Sequence, residues 1–400
     1  MARVAYLIFP LVLFCLFAAP QSAQTQSSGY ELLPSPDLWY NDVDGIRAGL
    51  RLKGQVPGTF DDGPHRLDFG IWLGTWFPEN PVSYYLSFTE PIPAWSDFGS
   101  EANVTLISSV RTGYHRHGLR FSKRWQTGFD ERRYQELSLF QSYERRFEKE
   151  YVPFPELWSE DDKLLTNLLF ELKNDNALGW YKIFVDGRLQ YVNDFSTGAS
   201  FTAMQEVPLH RFWKLSLRWF AGFNSENSQP EYLYTRSGLP AQEWLQSGWT
   251  RAKGTIPTPW ITSGYVQVTG GANLRGYTYQ DYSDTVPLTR SVTSLNSELD
   301  FWNPIGSLIE KSSYIADFVD FRSYLFFDAG SGLRSGSSLT EDWIADAGAG
   351  FSFGVNIPDN LGKTRGFVIR FDLPFWLSDP LNEDRFEFRH LFSFGAVISI

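Results

Sequence analysis

Histidine is the side chain most often used as a metal ligand or a general base, and this chain of 400 residues contains only five. His115 and His117 are the one close pair, and their alternate spacing would place both on one face of a strand. The sequence offers no third ligand beside them, whereas a zinc site takes three or four ligands from the protein. Glu160–Asp162 carries carboxylates of the kind that bind calcium, but a solvated loop is the simpler explanation. We therefore predict no metal site.

Sequence motifs of catalysis are also missing. The chain has no H-E-x-x-H, no G-x-S-x-G and no glycine loop of the phosphate-binding type. We predict a protein that is not an enzyme, with no catalytic residue and no cofactor. A Ser, His and Asp set brought together from distant parts of the chain would escape this search, so an enzymatic function stays open as an alternative.

Composition narrows the class of protein. The formal net charge is −11, so nucleic acid is not an expected partner. The mean hydropathy of −0.27, with no long apolar stretch after the N-terminus, excludes a bundle of membrane-spanning helices. Aromatic residues make up 17% of the chain, which suits a membrane barrel with Trp and Tyr girdles at both interfaces.

The N-terminal segment has the pattern of an export signal. Residues 1–23 predict a secretory signal peptide, because Arg3 precedes the apolar run Val4–Ala19 and a polar segment follows. The run is shorter than the roughly 20 residues that a membrane helix needs. Cys15, the only cysteine, would be removed with the signal. Residues 24–44 are predicted to form a flexible leader.

From residue 45 to residue 400, segments of about ten residues alternate between apolar and polar side chains, and Gly, Pro, Asp and Asn separate them. We predict an all-β fold, a transmembrane antiparallel β-barrel of about 16 strands, in preference to a soluble β-sandwich. The predicted strands are Ile46–Lys53, Leu67–Gly74, Val82–Glu90, Val104–Arg111, Gly118–Arg124, Glu136–Arg145, Leu164–Lys173, Trp180–Val192, Ala199–Val207, Trp213–Phe223, Leu239–Gln246, Arg290–Trp302, Phe321–Gly330, Ile344–Gly354, Gly366–Phe375 and Phe386–Ile400.

The last predicted strand would end the chain. Phe386, Phe392, Phe394 and Ile400 fall on one face of it, and small or charged residues mostly alternate with them. A strand edge in a bilayer must pair, so we expect this strand to close the barrel against the strand that begins at Gly45. Phe392, Phe394 and Ile400 are also predicted to carry the signal that assembly machinery recognises, through main-chain pairing and alternate side chains.

A glycine-rich segment, Thr269–Tyr277, contains Leu-Arg-Gly-Tyr at residues 274–277. It resembles the motif of the bacterial surface antigen barrels, which include outer-membrane insertases and two-partner-secretion translocators. The resemblance covers residues 265–400, and the polypeptide-transport-associated domains that precede such barrels are not found in this sequence. Four later segments resemble the strands that follow the motif, in the same order: Ser297–Leu299, Phe326–Gly330, Asp346–Phe351 and Arg370–Pro374.

The resemblance implies that this loop folds back into the barrel and that Arg275 pairs there with Asp328, with Glu298 nearby. A guanidinium inside a barrel needs carboxylates that match its planar fork, and glycine lets the backbone pass closely through a crowded interior. The other residues of this implied site are Gly271, Leu274, Gly276 and Tyr277.

These features predict a protein of the cell outer membrane, in contact with outer-membrane lipid and with the barrel-assembly machinery. The resemblance implies protein or small-molecule transport or outer-membrane assembly, with periplasmic partner subunits as candidate partners. Two alternatives stay open, a passive porin-like or enzymatic barrel and a membrane-anchor barrel. The second rests on the segment Leu38–Gly45, which looks like the barrels fused to some exported aminopeptidases.

Overall fold

A computed structural model describes most of the chain. The predicted signal peptide, residues 1–23, and Ile400 lie outside the described residues. The described residues are 29–56, 65–76, 79–126, 128, 130–278, 288–312, 315–316, 318–332, 339, 342–358, 364–380 and 384–395.

Alternation in the sequence gives seventeen strands within the described residues. Two α-helices are short, α1 (Thr258–Thr262) and α2 (Pro304–Glu310). In the described part of the chain, every helix is too short or too polar to span a membrane. The strands are β1 (Glu31–Asn41), β2 (Gly45–Gln55), β3 (Arg66–Gly74), β4 (Val82–Pro91), β5 (Ser100–Arg111), β6 (Tyr114–Trp125), β7 (Tyr134–Arg146), β8 (Lys163–Asn176), β9 (Gly179–Gln190), β10 (Ser196–His210), β11 (Trp213–Asn224), β12 (Val266–Val268), β13 (Ser291–Phe301), β14 (Val319–Ser331), β15 (Ile344–Pro358), β16 (Thr364–Leu377) and β17 (Leu391–Gly395).

Sixteen of these strands form one antiparallel meander. β1 to β11 pair in order, β11 pairs with β13, and β13 to β17 again pair in order. The remaining strand, β12, joins β17 in parallel orientation. The predicted all-β fold, an antiparallel barrel of about 16 strands, is confirmed.

The sheet curls into a barrel. The evidence is that one segment inside the curve contacts side chains of strands far apart in the sheet. We call this segment, the described residues 225–278 and 288–290 between β11 and β13, the insert. Gln242 of the insert donates hydrogen bonds to Tyr114 on β6 and Glu144 on β7. Arg275 of the insert contacts β13 and β14. Strands far apart in the meander therefore face a shared interior.

Side chains alternate between this interior and the outer surface, as a pleated strand requires. On β13, Asn296 and Glu298 are buried inside, whereas Leu295 is exposed outside. On β11, Arg218 is buried inside and Trp219 is exposed outside. The outer surface is thus largely apolar and the interior largely polar, which is the reverse of a water-soluble sandwich.

The first strand corrects the prediction of a flexible leader over residues 24–44. β1 lies within that range and pairs along its length with β2. It contains Pro34 and Pro36, and proline is accepted here because β1 is an end strand, with β2 as its one partner among the described residues. The predicted pairing of the Gly45 strand with the terminal strand is also wrong, because β1 and β3 occupy both edges of β2.

The predicted strand Leu239–Gln246 is wrong, since this stretch contains the 3-10 helix Ala241–Gln246. Pro240 precedes the helix with a φ of −50°, and the fixed φ of proline favours the start of a helical turn. Ala241 and Trp244 are three residues apart, the repeat of a 3-10 helix, and they face one apolar cluster.

The terminal strand is shorter than predicted. Within the described residues, β17 spans Leu391–Gly395, and residues 386–390 belong to no strand. Phe392 is exposed on the outer surface and Leu391 is buried inside, which is the alternation that the sequence predicts. Phe394 also lies in this strand, between β16 and β12.

Candidate functional site

The glycine-rich segment of the insert lies against the inner wall of the barrel. Gly271 has a φ of 57°, a left-handed conformation that favours glycine. A Cβ at Gly271 would also lie 2.8 Å from the carbonyl oxygen of Gly238. At Gly276, a Cβ would lie 2.6 Å from the Cβ of Asp346 on β15. Both positions therefore require glycine for the backbone to pass.

Leu274 and Tyr277 hold this segment in an apolar cluster. Both side chains are buried, and they pack with Phe220 of β11 and Ile344 of β15, among others. The hydroxyl of Tyr277 donates to the carbonyl oxygen of Ala345 at 3.2 Å. Leu274 and Tyr277 are thus fixed to the wall, and they position Arg275 between them.

Arg275 makes a bidentate ion pair with Asp328 of β14. Its Nε lies 2.7 Å from Asp328 Oδ2, and its Nη2 lies 2.8 Å from Oδ1. Its Nη1 donates to Glu298 Oε1 of β13 at 2.7 Å, and the guanidinium lies 3.9 Å from the ring centroid of Phe326. The structure thus brings together Arg275, Asp328 and Glu298, the three residues that the family resemblance implied.

Three further wall residues extend this network. Arg370 of β16 contacts Glu298, and its Nε lies 3.1 Å from the hydroxyl of Tyr324. Tyr324 donates to Asp372 Oδ1 at 2.8 Å, and Asp372 lies 3.6 Å from Arg275 Nη1. Sequence reasoning did not place Arg370 and Asp372 in the site. The signal that could have found them is their i, i+2 spacing, which puts both charges on one face of β16.

The guanidinium nitrogens of Arg275 are all bonded to carboxylates of the network itself. Two guanidiniums, of Arg275 and Arg370, face three carboxylates. Charges buried this deeply need good geometry to repay their desolvation. We call this cluster the inner ion-pair network; it consists of Arg275, Glu298, Asp328, Arg370, Asp372 and Tyr324. Because Arg275 belongs to the insert and the other five residues belong to the wall, the network holds the insert in place.

A second contact region joins the insert to segment 147–162, which connects β7 to β8. The rings of Trp244 and Phe154 pack with centroids 5.5 Å apart, inside a larger apolar cluster. Glu231 of the insert pairs with Lys163 of β8, and both side chains are fully buried. The insert is therefore held on two sides of the interior.

The insert also contacts the first and last strands of the meander. The indole of Trp39 on β1 donates to Thr255 Oγ1 at 3.2 Å, and Thr255 donates to the carbonyl oxygen of Tyr40 at 3.0 Å. The amide of Phe392 on β17 donates to the carbonyl oxygen of Tyr265 at 2.7 Å. Among the described residues, β1 and β17 form no ladder with each other. The insert therefore links the two end strands.

The histidine pair lies away from this network. His115 and His117 are on the outer face of β6, with ring centroids 5.8 Å apart, and Tyr143 and Phe147 lie beside them. His117 Nδ1 is 2.9 Å from Ser108 Oγ. Across the described ranges, no group of three or more His, Cys, Asp and Glu side chains is placed to hold a metal ion.

No protein-family model and no curated protein matches the sequence. Among solved structures, the chain is similar to BamA from Haemophilus ducreyi lacking POTRA domains 1–3, with 13% identity over 93% of this chain and 71% of that chain and a TM-score of 0.46. It is also similar to OccK11 (OpdR) from Pseudomonas aeruginosa, with 10% identity over 91% of each chain and a TM-score of 0.29.

Proposed function

We propose that this protein is an outer-membrane β-barrel of the surface antigen type, which serves in protein or small-molecule transport or in outer-membrane assembly. The observation that carries the proposal is the buried contact of Arg275 with Asp328 and Glu298. The surface antigen resemblance implies this contact, and its two carboxylates come from the two strands that follow the motif-bearing loop.

The outer surface supports the membrane part of the proposal. Trp219, Leu295 and Phe392 are large, apolar and exposed on outward faces of their strands, where lipid would cover them. Export by the signal peptide in residues 1–23 and folding by the barrel-assembly machinery belong to the same proposal. Long loops of such barrels lie on the extracellular side, so the insert would enter from outside. The start of β1 and the end of β17 would then face the periplasm and its partner subunits.

The filled interior favours a gated barrel over a passive porin. A porin keeps a water-filled lumen, whereas here the insert contacts β6, β7 and β8 as well as β13 and β14. Passage of a substrate would require these contacts to break, so the ion pairs of Arg275 and Glu231 are expected to control access.

Conductance in planar lipid bilayers tests this proposal. The wild-type protein should show small, irregular openings, because the insert occupies the interior. The double variant Arg275→Ala, Glu231→Ala should open more often and to larger conductance, because it removes one wall contact on each side. The control Arg211→Ala removes a charge from the exposed connection between β10 and β11 and should behave as wild type.

Large and steady steps from the wild-type protein would contradict the proposal and support the porin-like alternative. Native-detergent purification separates the two roles within the proposal. Recovery of periplasmic subunits with the wild-type protein would favour assembly, whereas a protein that purifies alone and conducts would favour transport.

A further inference from the structure

A second group of arginines lies inside the barrel, apart from the inner ion-pair network. It consists of Arg47 on β2, Arg111 on β5 and Arg251 in the insert. Arg47 contacts the hydroxyl of Ser83 on β4. Ser83 precedes Tyr84 and Arg111 follows Val110, and Tyr84 and Val110 pair across β4 and β5.

Lys253, two residues after Arg251, accepts at its carbonyl oxygen from the amide of Asp42 at 3.0 Å and donates its amide to the carbonyl oxygen of Tyr151 at 2.7 Å. The Tyr151 hydroxyl bonds to Asp44, the ion-pair partner of Arg47, so Arg251 lies in the same region of the interior as Arg47.

Arg111 and Arg251 have no anionic partner among the residues that the structure describes. The guanidinium of Arg111 lies 4.5 Å from the ring centroid of Tyr85, and Arg251 Nε donates to the carbonyl oxygen of Ser247 at 3.2 Å. Among the described residues, neither arginine makes an ion pair. Burial and then the charge of Arg47 lower the pKa of Arg251 from its ordinary value, as expected for a cation without a counter-charge.

Three carboxylates face this group, and each of them has other partners. Asp44 shares its oxygens between Arg47 and other donors, so it does not neutralise Arg111 or Arg251. The contacts are Asp44 Oδ1 with the hydroxyl of Tyr151 at 2.5 Å, Asp37 with the indole of Trp72 at 2.8 Å, and Asp68 with Arg51 at 3.6 Å.

The wall next to the group carries Arg111, Arg116 and Arg120 on β5 and β6. Residues 83–89 and 104–120, which include most of β4 and β5 and half of β6, contain no Asp or Glu. Arg116 of this wall pairs with Glu144 at 2.9 Å, but Arg120 Nε is buried without a hydrogen-bond partner in the described structure. A chain of net charge −11 thus keeps a cationic strip along one side of its interior.

We propose that Arg47, Arg111 and Arg251 form a binding site for a small oxyanion of the phosphate type. Planar guanidinium forks match the oxygens of phosphate, and several donors can bind one tetrahedral anion. Ser83 supplies a hydroxyl donor at the same place. Bound phosphate would also offset the repulsion between Arg111 and Arg251. The site stands independently of whether the barrel serves in transport or in assembly.

Thermal unfolding of the full chain in a zwitterionic detergent tests this site, in sodium chloride, acetate or phosphate at equal ionic strength. Phosphate should raise the wild-type midpoint more than acetate or chloride does. Arg111→Gln and Arg251→Gln should lose most of that gain, with a rise of about tenfold in the Kd for phosphate by calorimetry, since each removes one charge-assisted contact. In chloride, both variants should be as stable as wild type or more so, because a like charge is removed.

The control Arg211→Gln removes the same charge from an exposed connection and should keep the full phosphate gain. An equal phosphate gain in wild type, Arg111→Gln and Arg251→Gln would overturn the proposal, as would the lack of any phosphate-specific gain in wild type. If a glutamine variant does not fold, Arg111→Lys replaces it in the test. Lysine keeps the positive charge but lacks the planar guanidinium fork, so this variant should bind phosphate more weakly than wild type. A gain with phosphatidylglycerol in the micelle but none with inorganic phosphate would place the site on the lipid face and refute a lumenal one.

Discussion

At the scale of single residues, Arg275 is the side chain on which the position of the insert most depends. It is completely buried and bonds to carboxylates on two neighbouring strands. The partners of Arg275 could be named from the sequence, because the family resemblance supplies them. Arg370 and Tyr324 could not, because their contacts depend on the register between β13, β14, β15 and β16, which alternation alone does not specify.

Arg275→Ala should destabilise the folded barrel by about 3–5 kcal/mol, because it leaves Asp328 and Glu298 buried without their cation. Urea titration in detergent measures this change. Arg275→Lys should fall between the alanine variant and wild type, since it keeps the charge and loses the bidentate geometry. Arg211→Ala is the matched control, and an equal effect of both alanine variants would show that Arg275 has no special role.

Glu243 of the insert predicts a pH dependence of stability. Its side chain borders open space inside the barrel, and enclosure by the surrounding protein, followed by the charge of Asp186, raises its pKa from 4.5 to about 7, against the opposing charge of Arg218. Between these values the unfolded chain loses the proton and the folded protein keeps it, so stability should fall as pH rises from about 4.5 to about 7. Glu243→Gln should remove this part of the profile, and identical profiles for the two proteins would contradict the assignment.

At the scale of elements, the sequence predicts most strands and misreads three stretches, the leader that contains β1, Leu239–Gln246 and residues 386–390. The first two have local reasons. The strands from β2 to β11 follow from strict alternation and from Gly, Pro, Asp and Asn at the turns. The sequence does not predict β1, because this strand contains Pro34 and Pro36, and proline is unfavourable in an interior strand. The sequence does not show that β1 is an end strand, where proline is accepted. Leu239–Gln246 is too short for its sequence to distinguish a strand from a 3-10 helix. The three-residue spacing of Ala241 and Trp244 becomes clear only in the structure, where both pack against segment 147–162.

The exposed side of β17 carries a testable prediction. Phe392→Asp should lower the amount of protein assembled in the outer membrane, because it places a charge on a face that lipid covers. Outer-membrane fractionation measures the assembled amount. Phe98→Asp makes the same substitution at a fully exposed position in the connection between β4 and β5 and should assemble nearly as wild type. Equal assembly of the two variants would show that β17 does not face lipid.

At the scale of the whole molecule, alternation over some 355 residues was enough to predict an all-β barrel, because an apolar outer face and a polar interior leave few other closed architectures. The path of the insert could be predicted only near its motif. Its contacts with β1, β8 and β17 join residues up to 216 positions apart in sequence, and no local pattern records such pairings.

A closed barrel should be visible by gel mobility. The purified protein should migrate faster in SDS before heating than after it, because the hydrogen-bonded sheet resists detergent until it is boiled. Recovery of a soluble monomer without any detergent would contradict the membrane barrel. Arg275→Ala should lower the temperature at which the fast-migrating form disappears, which connects this measurement to the inner ion-pair network.

The link that the insert makes between β1 and β17 sets an order of events during folding. A segment from the middle of the chain contacts the first and last strands of the meander, β1 through Thr255 and β17 through Tyr265. If the ends of the meander met first, the insert would have to thread into a finished cylinder, and folded chains avoid such threading. We therefore expect the insert to be in place before β1 and β17 are brought to their final positions.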